Sequence, residues 1–194
     1  MLTDKPLCQF TDHIASQSHA MAGATIASSA AIACSLGETC IRMNIPLLTS
    51  AADQTLAGRL AGEIRDIRKR LLALTDEDGA SITAFAALRA AGKMLEGQDR
   101  LCQMPAEMAR LSIEAACLLQ EFRPLIQLAQ DDLEMAIVLF AGTVRAASLL
   151  LDSNMRLWPE PDLLAKYEPQ LAALRAEAGR VQPVDRIRPV PVRL

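Results

Sequence analysis

At 194 residues, with 51% hydrophobic but only 3% aromatic side chains, the chain suits one domain with a core of Ala, Leu, Ile and Met, which favour helices over strands. A net charge of −3 argues against nucleic acid or an anionic membrane as partner, since both call for a basic face. The first ten residues lack the order of a signal peptide. The five cysteines contain no CxxC pair and read as small hydrophobes of a reducing compartment, so the cytoplasm is expected.

Leu7, Phe10 and Ile14 predict a short first helix reaching residue 17. Residues 19–43, rich in Ala, Ser, Gly and Thr, predict a second helix whose small side chains allow close backbone approach, central in the fold or at a subunit interface; Pro46 follows its end. A long helix over 50–91 has Ser50 as N-cap and Gly92 as stop. Its stripe runs Leu56, Leu60, Ile64, Ile67, Leu71 and Leu74, then Ile82 and Phe85. The opposite face, with Arg65, Asp66, Arg68, Lys69 and Arg70, reads as solvated, with Asp66 and Arg70 spaced for an i,i+4 pair. A loop over 93–104 leads to a helix with Pro105 near its start and Met108, Leu111, Ala115, Leu118 and Phe122 inward. Pro124 breaks or kinks it.

The helix over 131–155 contains the most apolar run of the chain. Arg145 lies well inside that run, and a guanidinium at the centre of a membrane span costs about 2.5–3.5 kcal/mol on insertion scales, so a buried core helix is expected. Leu164, Tyr167, Leu171 and Leu174 mark a last helix with an interruption at Pro169. The domain is expected to span 1–181, followed at 182–194 by a proline-rich basic tail suited to docking on a protein partner.

Asp78 falls in the apolar stripe of the long helix, between Leu74 and Ile82. A carboxylate there must find a partner or shift its pKa upward; alternatively the helix breaks near Gly79 and Asp78 is a cap. Asp131 and Asp132 suit the first turn of their helix, where acids complement the helix dipole. Apolar neighbours suggest that Arg145 is buried, either as counter-ion of Asp78 or Asp132 or holding a carboxylate ligand. His13 and His19 have no metal-ligand spacing, so no metal site is expected.

Three stretches, in this order and separation, resemble the family of formimino-tetrahydrofolate cyclodeaminases and methenyl-tetrahydrofolate cyclohydrolases. They are "FTDHIASQSHAMAGATIASSAAIACSLG" at 10–37, "RLLALTDEDGASITAF" at 70–85 and "DDLEMAIVLFAGTVRAASLLLDSN" at 131–154. The family shows a phenylalanine, "LAS" and "PTPGGGS" before an alanine-rich helix, then a leucine-rich helix leading to an aspartate, then an "SD" step before a helix carrying asparagines. The resemblance implies an all-α bundle of long antiparallel helices, a homodimer, and a folate cleft at helix termini near the subunit interface. It implies catalytic roles for Asp78 and Asp132 and ligand binding by Gly23 and Asn154, to which Arg145 is added as a candidate. No tightly bound cofactor is expected, a tetrahydrofolate derivative being the substrate or ligand.

The segment matching "PTPGGGS" keeps Gly23 but neither proline, residues 126–130 lack the expected glycine-asparagine pair, and Leu150 replaces the first helix asparagine. These departures describe a diverged member. Its expected activity is hydrolysis of a methenyl-tetrahydropterin or cyclising deamination of a formimino-tetrahydrofolate, with a non-catalytic homodimer binding a protein partner or a related ligand as the alternative.

Overall fold

Four long helices carry the computed structural model, which describes residues 1–92, 98–157, 160–184 and 187. With two shorter ones they run α1 (Leu7–Ala15), α2 (Ala22–Asn44), α3 (Ala51–Ala90), α4 (Gln98–Phe122), α5 (Gln130–Leu157) and α6 (Pro161–Glu177). No strand occurs among the described residues. Helix α2 packs between α3 and α5, α4 closes the bundle against α5 and α3, and α6 lies on α4 and α5. Short connections turn α2 back into α3 and α4 back into α5, so neighbours in sequence are antiparallel neighbours in space. Helix α1 stays outside, with no buried residue.

The central place of α2 follows from its composition. Ala24, Ala27, Ala30, Ala33 and Cys34 are fully buried, and so small an inward face lets α3 approach closely. At Gly37 an added Cβ would lie 2.8 Å from the side chain of Leu119 on α4. Burial pushes the Cys34 thiol up to about 12 and those of Cys40 and Cys102 to about 11, so these three are packing groups rather than nucleophiles.

The charged face of α3 departs from expectation. Asp66 pairs with Lys69 at 2.8 Å, not with Arg70. Arg65 and Arg68 instead grip the buried Glu38 of α2 at 2.8 and 3.1 Å. Arg70 makes a bidentate contact with Glu107 of α4, at 2.6 and 2.9 Å, and also meets Glu77. The face reads as solvated along one helix, but its arginines reach sideways to neighbouring helices that periodicity does not reveal.

Helix α4 starts at Gln98, earlier than the loop expected over 93–104, of which 93–97 lie outside the described residues. Pro105 and Pro169 sit inside α4 and α6 without ending them. Pro124 behaves as expected: α4 ends at Phe122 and a 3-10 turn follows. Of the basic tail, Gln182 is held by its N–H donating to Gln120 and its carbonyl accepting from Arg123; the rest lies largely outside the described residues.

The turn before α5 is organised by the fully buried Asn44, whose side chain accepts from the N–H groups of Gln127 and Leu128 and donates to the carbonyls of Cys40 and Leu128. In the same turn Ala129 has φ +58°, in the left-handed region that costs a non-glycine residue about 1–2 kcal/mol. Ala129→Gly is therefore expected to stabilise the fold. The gain is up to about 1 kcal/mol after allowing for glycine's larger unfolded-state entropy, read as a higher urea midpoint with unchanged slope.

Candidate active site at the start of α2

The first N–H groups of an α-helix have no partner within the helix. Met21, the N-cap of α2, offers no side-chain acceptor. Asp78 supplies one from across the bundle: its Oδ2 accepts the Ala24 N–H at 2.7 Å. Helix α3 is continuous through this point, so Asp78 does not cap its own helix. It lies on the core stripe and caps a different helix, which joins the two alternatives left open above.

Gly23 is required by that arrangement. A Cβ there would stand 2.1 Å from Asp78 Oδ1 and 2.4 Å from its Cγ, distances no real contact shows. Glycine's missing side chain is the space that the carboxylate occupies. Burial pushes the Asp78 carboxyl above the usual carboxylate range, and the Ala24 N–H offsets part of that rise, aided by the positive end of the α2 dipole. Oδ1 accepts no hydrogen bond from any described residue.

Beside Asp78 lies a cavity of about 820 Å³, within the range of small-molecule sites. Its polar lining includes His19, Asp78, Ser153 and Asn154, and Ile82, Phe85, Leu101 and Leu150 give it apolar walls. Gly23, Asp78 and Asn154, predicted from sequence, therefore share one site. Asn154 also has a second task. Pro105 has no N–H to offer the Leu101 carbonyl, which an ordinary residue would engage in an i→i−4 bond; Asn154 Nδ2 donates to that carbonyl at 2.7 Å. Its amide nitrogen is thus engaged in the fold, leaving its oxygen for an occupant.

His19 is the site residue that sequence reasoning passed over. Both its ring nitrogens are shielded from solvent and lack a hydrogen-bond partner among the described residues. Its place within the segment matching "PTPGGGS" was the only available signal. Nearby, the N-terminal turn is fastened to α3: Thr3 donates its N–H and hydroxyl to Asp76, at 3.1 and 2.6 Å.

The other two candidates lie elsewhere. Asp132 is in the first turn of α5, about 33 Å along that helix from Asn154 at 1.5 Å per residue. There it sits near the end of α2, contributing to the raised Cys40 thiol. Within one chain, Asp132 and Asp78 do not meet. Arg145 is exposed, against the burial expected, and lines a separate cavity of about 340 Å³ with Ser148 and Arg175. It pairs with neither aspartate; Val144 beside it points into the core while Leu149 is exposed, so apolar neighbours along a helix do not bury it. Among the described residues no three His, Cys, Asp or Glu side chains gather as a metal-holding group.

Residues 6–173 match the profile of the formiminotransferase-cyclodeaminase family. No curated protein matches the chain in sequence. Among solved structures, the formiminotetrahydrofolate cyclodeaminase of Thermotoga maritima superposes with a TM-score of 0.76 at 18% identity, covering 93% of this chain and 96% of that one. At that identity the likeness establishes the shared fold.

Proposed function

We propose, from the premise that the chain belongs to the formiminotransferase-cyclodeaminase family, that it acts on a tetrahydrofolate-type one-carbon compound in the cavity beside Asp78. The observation that carries this reading is a buried carboxylate with a raised pKa at the edge of a ligand-sized cavity, where perturbed groups cluster in active sites. In hydrolysis of a methenyl compound, water adds to the methenyl carbon and gives one proton to ionised Asp78; Asp78 returns that proton to the departing nitrogen as the C–N bond breaks, and the carbinol hydroxyl loses its proton to solvent to leave the formyl product. In cyclising deamination, the substrate's second amine nitrogen, outside the pterin ring, attacks the formimino carbon; its own proton and one from protonated Asp78 pass to the imino nitrogen, whose C–N bond breaks to release ammonia and leave the methenyl cation. Ionised Asp78 also stabilises the methenyl cation. Ile82, Phe85 and Leu150 supply apolar surface for the ring system.

The test is calorimetric titration with 5-formyl-tetrahydrofolate, followed by an assay of methenyl-tetrahydrofolate hydrolysis. Saturable micromolar binding with turnover supports the reading, whereas no binding by a folded protein sinks it and selects the non-catalytic homodimer that binds a protein partner or a related ligand.

The assembly we propose is a homodimer through the outer faces of α2 and α5. Ile32 and Met43 on α2 and Met135, Val138, Leu139 and Leu149 on α5 are exposed on two helices that pack together, an apolar surface of the kind that marks an interface. Both helices are long and apolar enough to cross a membrane, but half or more of each apolar window is buried inside the fold. Arg145, seven residues on from Val138, shares the outward face of α5, which fits a protein interface better than lipid. A cytoplasmic location accords with this reading. Val138→Asp is expected to halve the mass measured by light scattering; an unchanged dimer would place the interface elsewhere.

A further inference from the structure

In any protonation state an imidazole carries at least one N–H donor, and in its neutral form it also carries an acceptor nitrogen. His19 satisfies neither: both nitrogens are cut off from solvent and unpartnered among the described residues. A buried polar group left in this condition is costly, and a histidine with a purely structural role would ordinarily have a hydrogen bond to show for its burial. What His19 does have is open space. It lies at the edge of the cavity of about 820 Å³, flanked by Ser18, Ala20, Ala22 and Gly23, none large enough to block the ring. Its backbone belongs to the irregular link between α1 and α2, so no helical ladder restrains it, and rotation about its side-chain torsions reorients both nitrogens. Asp78, on the same cavity, has one oxygen engaged by Ala24.

We propose that His19 is a ligand-contacting, specificity-determining residue of this cavity, turning its ring onto an N–H or carbonyl of a heterocyclic occupant, such as the amide edge of a pterin. This rests on the function proposed above and deepens it. An occupant that is apolar along that edge leaves the imidazole unpartnered and is disfavoured, as sites built to hydrogen-bond reject analogues lacking the group.

The chain contains two histidines, so imidazole nitrogen resonances report on His19 with His13, on α1, as internal control. Saturating the full-length protein with 5-formyl-tetrahydrofolate is expected to shift the His19 resonances and leave those of His13 in place. His19→Leu is expected to weaken binding about tenfold, the worth of one good hydrogen bond, without lowering the thermal midpoint, because an apolar side chain of similar size leaves no polar group unpaired. His19→Gln, which keeps a donor and an acceptor, is expected to retain most of the affinity. Binding with unmoved His19 resonances, or a His19→Leu protein that melts earlier yet binds normally, overturns this inference alone. Failure of the wild-type protein to bind overturns the proposed function and this inference together.

Discussion

On the proposed function, Asp78→Asn is expected to lower turnover of methenyl-tetrahydrofolate by at least about 100-fold, the usual contribution of a positioned acid or base, with its helical circular dichroism unchanged. Asparagine can still accept the Ala24 N–H through its side-chain oxygen, so the cap on α2 survives and only the ionisable group is lost. The variant is also expected to be more stable than the parent at neutral pH. Because burial raises the Asp78 pKa, the folded chain holds that proton to higher pH than the unfolded one. The Asp78 contribution to stability therefore falls as pH rises from the ordinary carboxylate value through the folded pKa, and its full cost is felt above that. The stability difference between variant and parent, measured by urea unfolding, should be largest near pH 7 and vanish in acid. A site that gives up stability for chemistry has this signature. A variant with full activity, or one less stable at every pH, would leave Asp78 as a structural cap only.

Gly23→Ala is expected to destabilise the protein by about 2 kcal/mol, as overpacking does in a tight interior, and to abolish ligand binding. The new Cβ competes with the Asp78 carboxylate for one position, so Asp78 swings away, the Ala24 N–H loses its acceptor, and the cavity changes shape. A double-mutant cycle isolates the cause. In an Asp78→Ala background the same Gly23→Ala change should cost little, because its opponent has gone. Equal costs in the two backgrounds would refute the steric account.

The structure also explains why Gly23 is kept while its neighbours on either side are alanines. Ala22 projects to the cavity rim and Ala24 contributes only its N–H to Asp78, so neither needs to be glycine. The sequence reveals the retained glycine but not its reason, because Asp78 lies 54 residues beyond Ala24, the residue that follows it. The helices are legible for the opposite reason: their stripes are local, and apart from the earlier start of α4 at Gln98 and the unbroken α6 the ends expected for α1, α2, α3 and α5 lie within a few residues of those observed. Asp78 was found by its misfit within such a stripe. Pro105 and Pro169 misled, since a proline inside a helix forfeits a single bond that the surroundings can replace. Arg145 misled because apolar neighbours along a helix do not bury the residue between them. Asp132 could be assigned to a helix start but not to an end of the bundle, since the path of the chain in space is absent from a list of spacings.

The bond from Asn154 to the Leu101 carbonyl makes Asn154 and Pro105 a single unit for selection. A lineage that stopped binding folate would still keep this asparagine for as long as the proline remained in α4, and replacing the proline would release it. Persistence of Asn154 among diverged homologues is therefore weak testimony to a retained ligand, whereas an asparagine kept without the proline would be strong testimony. The two positions are expected to change in concert across the family, in the manner of compensating mutations rather than of an active-site motif.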